Sequence, residues 1–232
     1  MRTRETRVTY VFQFGIVFDQ FPALLEGALL TIRLAATAMV FGLLVAVVCA
    51  YLRTSGPKPL RAIVAIYVEG IRNTPFLVQL YIIFFSLPAI GIRFEANQAA
   101  LIAMIVNLGA YATEIVRAGV QSVPVGQVEV GLALGLRRLQ IYRLIVLFPA
   151  IKAVFPALAS QFILLLLGSS VVSAISANEL TAIANTLQST TFRAFEVYIV
   201  VAVMYLAIAV AFRGFFAGLY WYVFVRGRGW DA

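Results

Sequence analysis

The sequence contains no histidine and only one cysteine, Cys49, among its 232 residues. These absences exclude an internal disulfide bond, a histidine-based zinc site, a Ser-His-Asp triad and a proton relay through histidine. No glycine is followed directly by lysine, so the chain lacks the phosphate-cradling P-loop. Any ATP that the protein uses must therefore be bound by another chain, and we expect no cofactor or metal site in this one.

Charged residues are also scarce, at 12%, whereas 62% of the residues are apolar and the mean hydropathy is +0.97. A soluble domain is usually about half apolar and about a quarter charged. The composition therefore predicts an all-α integral membrane protein and excludes an ordinary water-soluble enzyme. We assign the net charge of +8 to loop arginines that set the orientation in the membrane, and we expect no nucleic-acid partner.

Five apolar stretches are each close to the length of about 20 residues that crosses a bilayer, and they are predicted to be transmembrane helices. They cover residues 28–51, 63–87, 99–116, 155–174 and 197–216. We divide the chain accordingly into an N-terminal tail (1–20), a transmembrane domain (21–216) with a loop at 121–142, and an aromatic and basic C-terminal tail (217–232).

Basic residues are concentrated in three of the segments outside these spans, whereas the other two loops have only Arg93 and Arg193. The rich segments hold Arg53, Lys58 and Arg61, then Arg117, Arg137, Arg138, Arg143 and Lys152, then Arg226 and Arg228. With five spans the three segments lie on one side, which the positive-inside rule makes cytoplasmic. We predict an outer N-terminus and a cytoplasmic C-terminus, although the N-terminal tail carries Arg2, Arg4 and Arg7.

A polar interruption breaks the second span around Pro75, which removes a backbone donor and kinks a helix. Its polar residues are Glu69, Arg72, Asn73, Thr74 and Gln79. Broken helices at membrane depth face protein or a water-filled cavity, and in transporters they often build substrate sites. The sequence leaves a second interpretation open, a proline kink with an ion pair between Glu69 and Arg72, which are three residues apart.

The third span places Asn107, Tyr111 and Glu114 on one helical face through spacings of four and three. A carboxylate inside the membrane costs about 3 kcal/mol, so this face is expected to line a cavity or to be paired. For Glu114 we favour an ion pair with Arg117 at the cytoplasmic end over a place in the cavity wall. For Asn107 both interpretations stay open.

The fourth span contains Ser169 and Ser170, which complete the set of candidate residues for a substrate pathway. Serine hydroxyls in membrane helices bond either their own backbone or a group across a cavity. The sequence alone does not separate these two arrangements.

The loop at 121–142 carries a run, Q-S-V-P-V-G-Q-V-E-V-G-L-A-L-G-L-R-R, that predicts a short docking helix over 124–136. Pro124 suits a first helical turn, and Glu129 suits the N-terminal half of the helix dipole. Gly131, Ala133 and Gly135 make one side of the helix small. Because glycine costs about 1 kcal/mol in a helix interior, this side is expected to allow close approach by another surface.

The loop resembles the EAA motif of ABC-transporter permeases, here Glu129-Val130-Gly131 followed by Gly135. Other segments resemble the polar amino acid permeases of histidine, glutamine and arginine importers, over about residues 22–212. These are R-N-T-P-F-L-V-Q-L (72–80), G-A-Y-A-T-E-I-V-R-A-G (109–119), Q-S-V-P-V-G-Q (121–127), A-L-G-L (133–136) and F-R-A-F-E (192–196). The resemblance implies the type I ABC importer permease fold and an ATPase contact made by Gln127, Glu129, Gly131, Ala133 and Gly135.

The resemblance also implies partners in the bacterial cytoplasmic (inner) membrane. Two permease chains, alike or different, would form the pore, and two ATPase subunits would bind ATP and Mg. A periplasmic or lipid-anchored binding protein would deliver the amino acid. The family's Lys-Asp-Thr-Ser run in the fourth span is replaced by Leu167-Gly168-Ser169-Ser170, so we hypothesise that a different permease chain supplies the missing polar contacts.

Two other functions compete with a non-enzymatic ABC permease. An ion-coupled secondary transporter would use Glu69 and Glu114, but the five spans show no inverted repeat and the docking loop would have no role. A non-transporting assembly subunit conflicts with polar residues inside the spans, which are costly without a cavity.

Overall fold

The computed structural model describes residues 10–226, and all regular structure within that range is helical. The ten α-helices, in chain order, are α1 (Phe14–Asp19), α2 (Phe21–Ser55), α3 (Lys58–Arg72), α4 (Phe76–Tyr81), α5 (Ala96–Gln121), α6 (Val125–Ala133), α7 (Arg138–Ile141), α8 (Leu147–Gly168), α9 (Leu180–Thr191) and α10 (Ala194–Phe224). Short π and 3-10 segments extend α4 to Ile90, join α7 to α8, and continue α8 to Ile175. The all-α membrane fold predicted from composition is confirmed.

Four helical stretches in this range are long and apolar enough to cross a membrane without a break: Phe21–Ser55, Ala96–Gln121, Leu139–Ile175 and Ala194–Phe224. The fifth predicted span is a bent pair, Lys58–Arg72 and Phe76–Ile90, whose halves meet at 112°. Pro75 causes the break, because its backbone is extended (φ −62°, ψ 139°) and it has no N–H to continue the helix.

The helices extend beyond the apolar windows seen in the sequence. The last helix passes residue 217, the predicted start of the C-terminal tail, and continues to Phe224. It continues because its aromatic residues pack inward: the rings of Tyr220 and Phe224 both lie 5.7 Å from that of Phe155 on α8. Residues 1–9 and 227–232, with Arg2, Arg4, Arg7 and Arg228, lie outside the described residues.

The centre of the bundle is the contact of α2 with α5, and small residues make it close. Ala38, Ala46 and Ala112 are completely buried there. A Cβ on Gly42 would come within 2.8 Å of the Leu108 side chain, so this glycine allows the two helices to approach. Next to this core, α8 packs on α5 at Gly119, where a Cβ would overlap Val154.

Candidate functional site

The break between α3 and α4 satisfies its own free backbone groups with side chains. The amide nitrogen of Asn73 donates to the carbonyl of Glu69 (2.8 Å), and the hydroxyl of Thr74 donates to the carbonyl of Gly70 (2.8 Å). Carbonyls at the end of a helix have no partner within it, so these bonds let α3 end at membrane depth. The polar atoms of Asn73 and Thr74 are therefore partly used by the break itself.

Gln79 fastens the two halves of the break to each other and to α5. Its amide nitrogen donates to the carbonyls of Ile71 (2.8 Å) and Thr74 (3.0 Å). Its amide oxygen accepts from the side chain of Asn107 on α5 (2.9 Å). Gln79 is only 5% exposed, so these bonds satisfy a buried amide that would be costly without partners.

Arg72 and Tyr111 close the same cluster on its exposed side. The Tyr111 hydroxyl donates to the Arg72 carbonyl (3.4 Å), and the Arg72 guanidinium lies 5.7 Å from the centre of the Tyr111 ring. A cation over an aromatic face is held without a carboxylate, so the charge remains available to a ligand. The structure thus brings together five of the predicted pathway residues: Arg72, Thr74, Gln79, Asn107 and Tyr111.

A cavity of about 350 Å³ lies beside this cluster, between the break, α5 and α8. Its size falls within the range of small-molecule sites. The side facing the break contributes Thr74, Asn107 and Tyr111, and α8 contributes Gln161 and Gly168. Sequence analysis missed Gln161, although an amide inside the apolar fourth span, seven residues before Gly168 on the same helical face, was a usable signal.

Ser169 and Ser170 stand apart from this cavity and bond their own helix. The hydroxyl of Ser169 donates to the Leu166 carbonyl (2.7 Å), and that of Ser170 donates to the Leu167 carbonyl (3.0 Å). Ser169 is fully buried, and Ser170 lines a different groove, between α8 and α10. Of the two arrangements left open by the sequence, the structure has the bonds to their own backbone.

Glu114 lies in an ion-pair cluster at the end of α5. Its carboxylate contacts Arg117 at 2.6 Å and Arg53, near the end of α2, at 3.3 Å. This is the pairing that we favoured for Glu114 over a place in the cavity wall. The proposed pair of Glu69 with Arg72 is absent from the described residues: Arg72 lies over Tyr111, and Glu69 contacts Arg53 at 3.9 Å.

The predicted docking helix exists as α6, but it is shorter than 124–136. It starts after Pro124 and ends at Ala133, because Gly135 adopts φ 73° and turns the chain. The predicted close approach occurs at Gly131, and the approaching surface belongs to this chain. A Cβ there would lie 2.8 Å from the Ile145 side chain and 3.0 Å from that of Ile141.

The outer side of α6 is left exposed, and much of it is apolar. Val125 and Leu134 are 70% and 73% exposed, and Gln127, Glu129 and Ala133 are also exposed. Exposed apolar patches rimmed by polar residues mark interaction surfaces. Gly131 seats α6 on the segment that leads into α8, so α6 is in direct contact with the start of a predicted span.

Comparison with known proteins identifies the family of this chain. The profile of the family described as "Binding-protein-dependent transport system inner membrane component" matches residues 22–220. The chain belongs to this family. It is thus a permease component of an ABC importer in the inner membrane and a transport component, not an enzyme, and membership implies an ATPase and a substrate-binding protein as partners.

Individual relatives agree with this membership. The chain is 39% identical over 159 residues to an L-cystine transport system permease of Bacillus subtilis, with 68% of each chain covered. It is 33% identical to a glutamine transport system permease of Escherichia coli, covering 85% of this chain and 91% of that one. These matches do not favour an ion-coupled secondary transporter.

Solved structures confirm the type I importer fold. A crystal structure of an amino acid ABC transporter with histidines matches with a TM-score of 0.85 and 34% identity, covering 91% of this chain and 99% of that one. The inward-facing MetNI methionine ABC transporter matches with a TM-score of 0.75 at 20% identity, covering 88% and 98%, which shows the fold alone.

Proposed function

We propose that this permease passes a polar amino acid, or a closely related small zwitterion, through the cavity beside the break in the second span. The relatives named for glutamine and cystine transport support this substrate class. In the proposed orientation the N-terminus is outside and the C-terminus, like α6, is cytoplasmic. Arg72, Thr74, Gln79, Asn107 and Tyr111 form the pathway on this chain, with Gln161 added from α8.

The lining of the cavity carries the proposal for a zwitterionic substrate. Asn107 and Gln161 offer neutral amides, and Tyr111 offers a hydroxyl. Such groups bind an amino acid's polar atoms without the desolvation cost of a fixed charge. Arg72 is the cation at this site, and its exposed guanidinium suits a substrate carboxylate.

The coupling proposal rests on α6. We assign its exposed residues Gln127, Glu129 and Ala133 to the contact with an ATPase that binds ATP and Mg, with two ATPase copies in the importer. Closure of the ATPases would move α6, and Gly131 would pass that movement to α8 through Ile141 and Ile145. Gly135 contributes by ending the helix.

The second permease is proposed to be a different chain. Gly168 lines the cavity within the stretch where the family's Lys-Asp run is replaced, so this chain has no charged group at that wall. A non-identical partner would supply the missing contacts. A purified particle with two copies of this chain and full transport would contradict this proposal.

Charge reversal on α6 tests the coupling proposal. Glu129→Lys should detach the ATPase or uncouple it while the chain remains inserted, because it reverses a charge in the proposed docking surface. The matched control is Glu26→Lys, which reverses an exposed carboxylate in the first turns of α2, on another part of the bundle. Affinity purification gives the ATPase ratio, and proteoliposomes give uptake. Unchanged ATPase ratio and uptake with Glu129→Lys would refute the assignment.

A further inference from the structure

A second candidate site lies at the α6 end of the bundle, where a groove of about 660 Å³ is bounded by the end of α2, the start of α3 and the end of α5. Its cations are Arg53, Lys58, Arg61 and Arg117. Two carboxylates contact this group: Glu114 pairs with both Arg117 and Arg53, and Glu69 contacts Arg53. The four cations therefore keep an excess of positive charge.

Lys58 and Arg61 stand where a helix favours an anion. Both are in the first turn of α3, at the positive end of its dipole, where a cation is unfavourable. Among residues 10–226 neither forms an ion pair with a carboxylate. Arg61 instead donates to the Gly56 carbonyl (3.2 Å). A bound anion would relieve the repulsion between these cations and satisfy the start of α3.

An apolar cavity of about 380 Å³ adjoins this groove, and Thr54 lines both. It follows α2 from Leu43 to Thr54, a distance of about 16 Å along the helix axis at the usual rise. Its opposite walls are apolar residues of α5 and α8, among them Val120 and Leu158. The two cavities together place a charged groove beside an elongated apolar one.

We propose that this pair of cavities binds an anionic phospholipid, with the phosphate among the four cations and an acyl chain against α2, α5 and α8. A free phosphate would use the cations alone, whereas a phospholipid also fills the apolar cavity. In the proposed orientation this site faces the inner leaflet, and that placement rests on the proposed function. Because α5 leads directly into α6, the lipid would sit beside the ATPase contact.

Native mass spectrometry of the permease–ATPase assembly tests this proposal after incubation with mixed micelles of phosphatidylglycerol and phosphatidylcholine. The wild type should retain phosphatidylglycerol in preference. Lys58→Gln combined with Arg61→Gln should weaken retention roughly 25-fold, because each cation near a membrane surface contributes about fivefold. The charge-matched control, Arg143→Gln with Arg226→Gln, removes the same charge outside both cavities and should weaken retention clearly less. Equal losses in the two pairs would overturn the proposal.

A second variant separates a lipid from a free anion without touching the cations. Val47→Trp fills the apolar cavity from a half-exposed position, so the buried core is left intact. It should lower phosphatidylglycerol retention, and inorganic phosphate should not displace the lipid from the wild type. No effect of Val47→Trp, or displacement by inorganic phosphate, would overturn the lipid proposal. Lipid retention is measured without any transport assay. A negative result for lipid binding is therefore distinguishable from a negative result in the Glu129→Lys test of the proposed function.

Discussion

Two breaks in the helices hold their polar groups in opposite ways. At the first, residues 72–79, Gln79 bonds carbonyls on both sides of the break and the Asn107 side chain on α5. At the second, residues 169–179, Ser169 and Ser170 bond carbonyls three residues back on their own helix. The first break lies beside the cavity, whereas at the second break Ser169 is buried and Ser170 faces the separate groove between α8 and α10. The bonds of Ser169 and Ser170 stay within one helix, whereas Gln79 joins the first break to α5 beside the cavity.

The second break also contains a buried carboxylate, whereas the first uses neutral amides. Glu179 caps α9 by accepting from the backbone N–H groups of Thr181 (2.9 Å) and Ala182 (2.8 Å) and from the Tyr205 hydroxyl (2.7 Å). It is completely buried, and no cation pairs with it among residues 10–226. The bonds of the buried Glu179 suit a structural role, whereas the neutral amides of the first break can exchange their partners for a ligand.

The largest effect is expected from Gln79→Leu. The Thr74 carbonyl and the Asn107 amide lose a partner, whereas the Ile71 carbonyl keeps a bond from the Thr74 N–H. At about 1–3 kcal/mol for each loss, the break should be destabilised by about 3 kcal/mol. Thermal unfolding of the purified assembly should show a clear loss of stability, and proteoliposome uptake should fall to background.

Gln161→Leu is the matched comparison for Gln79→Leu. Gln161 lines the same cavity, and its side chain makes no hydrogen bond within the described residues. Its replacement should change the stability by less than about 1 kcal/mol while raising the substrate concentration needed for half-maximal uptake. If both variants are equally stable, the bonds of Gln79 do not hold the break together.

The next largest effect is a pH dependence of stability through Glu179 in the second break. Burial raises the pKa of the Glu179 carboxyl, although donation from Tyr205, Thr181 and Ala182 partly opposes it. A raised pKa in the folded state means that Glu179 contributes stability below its unfolded pKa, and that this is lost as pH rises through its folded pKa. The unfolding temperature of the wild type, measured relative to that of Glu179→Gln, should therefore decrease as the pH rises above about 4. A constant difference would contradict the buried-carboxyl account.

Sequence alone predicted the features that depend on residues close together in the chain. Hydropathy located the spans, Pro75 located the first break, and a spacing of three gave the pair of Glu114 with Arg117. Contacts between distant segments were out of reach: Asn107 is 28 residues from Gln79. Likewise, nothing in the sequence shows that Ile145 folds back onto Gly131.

The C-terminal aromatic residues show the same limit of sequence analysis. Tyr, Trp and Phe near the end of a span are typical of a membrane interface, so residues 217–232 were assigned to a tail. Inward packing of Phe224 on α8 depends on the position of Phe155, more than sixty residues earlier, and only the fold brings the two rings together.

The smallest effects are expected from Ser169→Ala and Ser170→Ala. The Leu166 carbonyl keeps a hydrogen bond from the backbone N–H of Ser169 when the hydroxyl is removed, so no buried group is left unpaired. Back-bonding by serine adds little to helix stability, and we expect changes below about 0.5 kcal/mol. Uptake should stay within about twofold of wild type, measured beside Asn107→Ala, which should lose more because it breaks a bond between helices. A large transport defect in either serine variant, with normal unfolding, would place the second break in the substrate pathway and remove the distinction drawn between the two.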